Sequence, residues 1–187
     1  MSEANKQSLT TSQIGRCGEM LVQYLLLFRG IESAPMTTDA GVDLVAYSSG
    51  SATPKTIQVK TNLRPKLGGG KGSRALDWWI GEHTPAQLVA LVDLSSQRVW
   101  VFTFAEIEKY SQQKSNGRYH LYMYLEPPRR IRKVGCRMHT GEFEHFLLSK
   151  RVDRLFNLRA APKSRVQPTA NGAISSATRL EPGVGGG

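Results

Sequence analysis

Gly41-Val42-Asp43-Leu44-Val45-Ala46-Tyr47, a turn of mostly small residues from Ser48 to Pro54, and Thr56-Ile57-Gln58-Val59-Lys60-Thr61 form the stretch that decides the fold. Both arms are rich in residues that fit a pleated surface, and the segment between them carries turn chemistry, so the stretch reads as a β-hairpin. In the second arm apolar and polar residues alternate, which puts Ile57 and Val59 on one face and Gln58 and Lys60 on the other. The first arm carries Asp43 inside an apolar strand, where aspartate is disfavoured.

Working back toward the N-terminus, Thr10 with Gln13 three positions later forms a capping box that opens a helix running to about Phe28, and Gly30 closes it. A short strand is expected near Ile31–Met36. The helix is apolar nearly all round, with a polar strip of Gly15, Arg16, Glu19 and Gln23. Working forward, Asn62–Arg74 is rich in glycine and basic residues and has no periodicity, so a mobile basic loop is expected. Strands follow at Trp78–Ile80, Leu88–Val92 and Val99–Phe102, then a helix over Phe104–Gln113 and a strand over Tyr119–Leu125. Pro127–Lys133 reads as a basic connection. Glu142–Leu158 reads as one amphipathic helix with Phe143, Phe146, Leu147, Leu155 and Phe156 on its apolar side. The chain is therefore α/β, organised as a leader over 1–9, a single domain over 10–158 and a tail over 159–187 too poor in large apolar residues to repay its ordering entropy.

Composition narrows the function. Of 187 residues, 25 are Lys or Arg and 15 are Asp or Glu, a net charge of +10. Such a surplus, without a basic amphipathic helix, suits a phosphate backbone as partner; a merely basic surface is the alternative. Apolar runs such as Tyr24–Phe28 are far too short for the roughly 18–20 residues of a membrane span. The polar N-terminus lacks the pattern of a secretory signal, so a cytoplasmic protein is expected, with Cys17 and Cys136 as small buried thiols. There is no phosphate-binding glycine loop followed by Lys-Ser/Thr and no G-x-S-x-G, so neither a nucleotide cofactor nor serine-hydrolase chemistry is expected. Cys136, His139 and His145 have a zinc-like spacing but lack a fourth ligand. Of the adjacent Trp78 and Trp79, strand alternation sends one into the core and leaves the other either to touch DNA or to pack under a helix.

Polar groups at Glu19, Asp43, Gln58 and Lys60 stand where a core-building pattern does not need them. Each has an ordinary explanation: a solvent-facing helix glutamate, a strand-end aspartate capping the Gly41 turn, a buried ion network. The hairpin, however, can bring the acid, the amide and the ammonium together at one end of two adjacent strands. Mg²⁺ takes hard oxygen ligands, and carboxylates, an amide oxygen and a main-chain carbonyl supply them.

The order GRCGE in a helix, GVDLVAY in a strand and IQVKT in the next resembles the PD-(D/E)XK nuclease superfamily, in particular its branch of bacterial group I intron homing endonucleases and resolvase-like nucleases. The likeness spans roughly residues 14–102 and departs from the commonest pattern at Gln58, where Asp or Glu is more usual, and at Val42 in place of proline. The resemblance implies a restriction-endonuclease-like core, a central mixed β-sheet flanked by helices. It implies catalytic Glu19, Asp43, Gln58 and Lys60, with Mg²⁺ (or Mn²⁺) held by Glu19, Asp43, Gln58 and the Val59 main-chain carbonyl, and Lys60 steadying developing charge during phosphodiester hydrolysis. Gln58 removes one negative charge from that site, so a nuclease-fold DNA-binding protein with weak or no activity is the alternative. Duplex or branched DNA is the expected partner, contacted by Arg64, Lys66, Lys71 and Arg74 beyond the active strand and by Arg129, Arg130, Arg132 and Lys133. A homo-oligomer is expected, because one small site cuts one strand at a time.

Overall fold

The computed structural model describes residues 8–38, 40–48, 53–68, 72–127 and 137–158. Helix α1 (Thr11–Leu27) opens with the capping box: Gln13 N–H donates to Thr10 Oγ1 and the Gln13 side chain accepts from Thr10 N–H at 2.8 Å. Gly30, at φ +72°, ends it in a conformation that costs glycine little. The chain continues through β1 (Ile31–Pro35), β2 (Leu44–Ser48) and β3 (Lys55–Asn62), then β4 (Lys66–Leu67), β5 (Arg74–Gly81), β6 (Leu88–Asp93) and β7 (Arg98–Thr103). Helix α2 (Phe104–Tyr110), β8 (Gln113–Ser115), β9 (Arg118–Tyr124), a 3₁₀ helix (Thr140–Phe146) and α3 (Leu148–Leu155) complete it.

The central sheet is five-stranded and mixed, in the order β1-β2-β3-β6-β7, with β3 and β6 parallel and every other pair antiparallel. Every residue of β6 is buried, as expected of an apolar strand covered on both faces. One face holds Ile57, Val59, Leu88, Ala90 and Val92 against Val22 and Leu26 of α1 and Leu148, Val152 and Phe156 at the C-terminal end. The other holds Val89, Leu91, Trp100 and Phe102 against a second, four-stranded sheet, β4-β5-β9-β8, through Leu76, Trp78, Ile80, Leu121 and Met123. Each fully buried Val, Leu, Ile or Phe contributes about 1.5–3 kcal/mol of transfer free energy, so both covered faces are strongly specified.

Several expectations change. Asp43 stands one residue ahead of β2 rather than in mid-strand, although its N–H donates to Ile57 O at 2.9 Å and its carbonyl accepts from Met36 N at 2.8 Å. The stretch from Asn62 to Arg74 is not all loop. Lys66 and Leu67 pair with Ala75 and Arg74, which gives that backbone partners a free loop would lack. Helix α2 stops at Tyr110 because Gln113–Ser115 pairs with β9 instead, while the Gln112 amide bonds the backbone of Tyr122 and Arg137. The single helix expected from Glu142 breaks at Leu147, whose extended backbone bridges to Trp100. The reason is packing: Phe143 and Phe146 belong to the core on one side of the central sheet, Leu148, Val152 and Phe156 to the core on the other, so the chain crosses the β7 edge between them. Cys17 is exposed rather than buried. Cys136, the leader up to residue 7 and the tail from 159 lie outside the described residues. No helix among the described residues is long and apolar enough to cross a membrane.

Candidate active site at the open edge of the third strand

Strand β2 pairs with β3 only through Lys55, Thr56 and Ile57, so the later half of β3 runs past the start of β2. Asp43 fills that gap, and its Oδ2 accepts the Val59 N–H at 2.6 Å. Gly41, at φ +79°, turns the chain into this position. The N–H and C=O of one residue in an extended strand point to the same side, so the Val59 carbonyl turns toward the same edge as the amide that Asp43 holds. Asp43 and the tripeptide Gln58-Val59-Lys60 are thus brought together by backbone geometry.

Gln58 and Lys60 lie on the sheet face opposite α1, in register with Val89 and Leu91 of β6 and beneath the second sheet. Gln58 is buried, and its Oε1 has no hydrogen-bond partner among the described residues. A buried amide oxygen left without a donor costs about 1–3 kcal/mol. Lys60 is half-buried. Glu19 comes from the other layer: its carboxylate binds Arg16 Nη1 at 2.7 Å. Helix α1 reaches β3 because the residue next to Glu19 is Gly18, whose missing side chain leaves room for Thr61; a Cβ there would stand 1.9 Å from Thr61 Oγ1. That contact sets Glu19 beside the C-terminal end of β3, but on the side away from the Gln58 and Lys60 side chains.

No protein-family model matches the chain, and no curated protein does. Among solved structures, the bacterial homing endonuclease I-Ssp6803I aligns over 80% of this chain and 94% of its own, at a TM-score of 0.54 and 11% sequence identity. The fold resembles that of a bacterial homing endonuclease. A second match, the crystal structure of MepB, covers 73% of this chain and 91% of its own at 12% identity, but its TM-score of 0.32 does not define a shared fold.

On this endonuclease-like fold, Arg64, Lys66 and Arg74 are exposed, and none pairs with a carboxylate among the described residues. Lys71, Arg129, Arg130, Arg132 and Lys133 lie outside the described residues. No cluster of three or more His, Cys, Asp or Glu side chains forms among the described residues. His139, one of the three residues of the zinc-like spacing, instead caps the 3₁₀ helix by accepting from Gly141 N–H. Two positions that shape the region escaped the sequence reading. Asn62, on the Lys60 face of β3, donates to Asp77 O at 2.7 Å and ties the second sheet to the end of β3. Gly18 sets the height of α1. Its signal was the glycine in mid-helix, which costs about 1 kcal/mol against alanine and so calls for a packing reason.

Proposed function

We propose that this protein is a metal-dependent endodeoxyribonuclease of the PD-(D/E)XK type, with Asp43, Gln58 and Lys60 at its centre and Glu19 completing the ligand set. The observation that carries the reading is the Asp43–Val59 hydrogen bond, which fixes a carboxylate at the open edge of β3 between an amide and an ammonium side chain. The donor set suits a hard cation: a carboxylate, the Val59 carbonyl and Gln58 Oε1, which has no partner among the described residues, are all oxygen donors. Mg²⁺, or Mn²⁺ in its place, would be held at the open edge of β3 by Asp43, Gln58 and the Val59 carbonyl, with Glu19 reaching that edge from the α1 face, and would supply Lewis-acid polarisation of the scissile phosphate. Lys60 brings a positive charge to where negative charge develops on the phosphate oxygens. Val59 N–H orients the Asp43 carboxylate, and Gln58 gives a neutral ligand where a carboxylate is commoner. Glu19 must first exchange Arg16 for the metal.

Arg64 follows the end of β3, Lys66 and Arg74 sit on the paired strands β4 and β5, and these cations, without carboxylate partners among the described residues, suit backbone phosphates. Cutting both strands of a duplex calls for two such sites, and a second copy of the chain would supply the second. The exposed Met20, Tyr24, Leu27 and Phe28 on α1 support self-association, because a run of large apolar side chains on one helix is costly to leave in water. The cytoplasm is the proposed setting. The missing charge at Gln58 favours a second reading, a nuclease-fold protein that binds DNA without cutting it. Incubation of supercoiled plasmid and of a branched duplex with the purified protein separates the two. The nuclease reading expects nicking in Mg²⁺ or Mn²⁺ that EDTA abolishes; binding to both substrates with no product in either metal favours the second.

A further inference from the structure

The outer face of the second sheet carries a ladder of rings that neither core uses. Trp79 of β5 is 40% exposed. It stacks on His120 of β9 with ring centres 4.1 Å apart and planes 4° from parallel. The imidazole is held in that plane from both sides: its ring nitrogens lie 3.4 Å from Asp77 Oδ2 and 3.4 Å from Gln113 Oε1. Tyr122 and Tyr124 continue along β9 at centre-to-centre steps of 5.4 and 5.5 Å. Strand alternation places all of these on the face away from Leu76, Trp78, Ile80, Leu121 and Met123, which are buried against the central sheet.

Beside Trp79 opens a cleft of about 440 Å³, lined by Trp79, Ser115, Asn116 and Arg118. Arg118 is exposed and has no carboxylate partner among the described residues. Its neighbour Lys114 is different, since Glu82 Oε2 holds it at 2.7 Å. The cleft therefore offers an aromatic surface, a hydroxyl and an amide group, and a guanidinium with no carboxylate partner among the described residues. The strand that carries Trp79 is tied to the end of β3: Asn62 donates to Asp77 O, two residues before Trp79 on β5.

The geometry points to a binding site for unpaired DNA on this face, with a nucleobase stacked on the Trp79 indole and the adjoining phosphate on Arg118. This deepens the nuclease reading and rests on it for the choice of DNA. Base–aromatic stacking tolerates any sequence and needs a flat ring held in place, and a basic group tracks the backbone beside it. The substrate class that follows is DNA with a single-stranded segment: a flap, a fork or an extruded base.

The test is a titration of the full chain with the oligonucleotide dT8 in EDTA, read by tryptophan fluorescence in the wild type and by the anisotropy of fluorescein-labelled dT8 in the wild type and every variant, beside a duplex of the same length as control. Of the three tryptophans, Trp78 and Trp100 are buried, so quenching by a stacked thymine reports Trp79. Expected are quenching on addition of dT8, binding weakened about tenfold or more in Trp79→Ala, largely retained in Trp79→Phe, and a shallower salt dependence in Arg118→Ala, with duplex affinity of Trp79→Ala unchanged. Unchanged dT8 affinity in Trp79→Ala overturns the inference. So does a wild-type protein that binds duplex while dT8 leaves its fluorescence unmoved. Because EDTA removes chemistry from the readout, Trp79-dependent dT8 binding by a protein that cuts nothing would sustain this site and remove the nuclease reading, whereas cleavage without dT8 binding would do the reverse.

Discussion

Replacing Gly18 by alanine, with Gly15→Ala as its partner experiment, probes the contact that sets α1 on the central sheet. A Cβ at Gly18 would lie 1.9 Å from Thr61 Oγ1 and 2.9 Å from both Thr61 Cβ and Cγ2, against the 3.5–4.0 Å of an unstrained carbon contact. Rotating Thr61 moves Oγ1 and Cγ2 but leaves Cβ in place, so the helix itself must lift. Overpacking of this kind costs about 1–3 kcal/mol. Gly15 has nothing within 4 Å of its virtual Cβ, so alanine there gains about 1 kcal/mol of helix propensity and meets no clash. At about 2–4 °C per kcal/mol for a chain of this size, Gly15→Ala should melt about 2–4 °C above the parent, and Gly18→Ala roughly 2–12 °C below Gly15→Ala. Thr61 Oγ1 has no hydrogen-bond partner among the described residues, so Thr61→Ala forfeits no hydrogen bond there and should recover part of the loss in the double variant. Thermal melts followed by circular dichroism decide it. If Gly18→Ala rises with Gly15→Ala, or Thr61→Ala recovers nothing, the close approach of α1 to β3 is wrong.

Other consequences are sharper in sign than in size. Although burial works to raise it, hydrogen bonds from Arg151 and from Thr103 hold the Glu106 carboxyl below its ordinary value of 4.5. A lowered folded-state value means that this stabilisation is complete above that ordinary value and is lost as pH falls through the lowered one, so Glu106→Gln should flatten the acid limb of melting temperature against pH; parallel limbs would contradict it. Replacing Arg64, Lys66 or Arg74 by alanine should each reduce the slope of log affinity for duplex DNA against log salt by about 1, measured by fluorescence anisotropy, with no change in sequence preference. Sedimentation on DNA should show more than one copy of the chain, and Leu27→Glu on the exposed side of α1 should shift it toward the monomer; a strict monomer would count against paired sites.

Much of this was legible because local chemistry and global packing agree. The Thr10–Gln13 box, the Gly30 stop and the alternation of Ile57-Gln58-Val59-Lys60 each state their structure within a few residues. The candidate site was legible as a set of residue types, and the Asp43–Val59 bond gives part of that set a shared location. What stayed hidden depends on distant partners. Nothing near Trp79 announces that β5 pairs with β9 some forty positions on, and hence that its ring meets His120. The break at Leu147 was invisible for a related reason: Phe143, Phe146, Leu148 and Val152 follow one another with nothing in the local pattern to say that two cores on opposite sides of a sheet divide them. Glu19 illustrates a third case, since helix periodicity reports its angular position but not whether Arg16 or a metal takes its carboxylate.

The most direct test is the rate at which Lys60→Ala cleaves supercoiled plasmid in saturating Mg²⁺, measured against wild type with circular dichroism to confirm that both are folded. The nuclease account predicts cleavage by wild type and a loss of about 10²-fold or more in the variant at an unchanged melting temperature. Equal cleavage rates, or a variant that loses activity only because it unfolds, would contradict it.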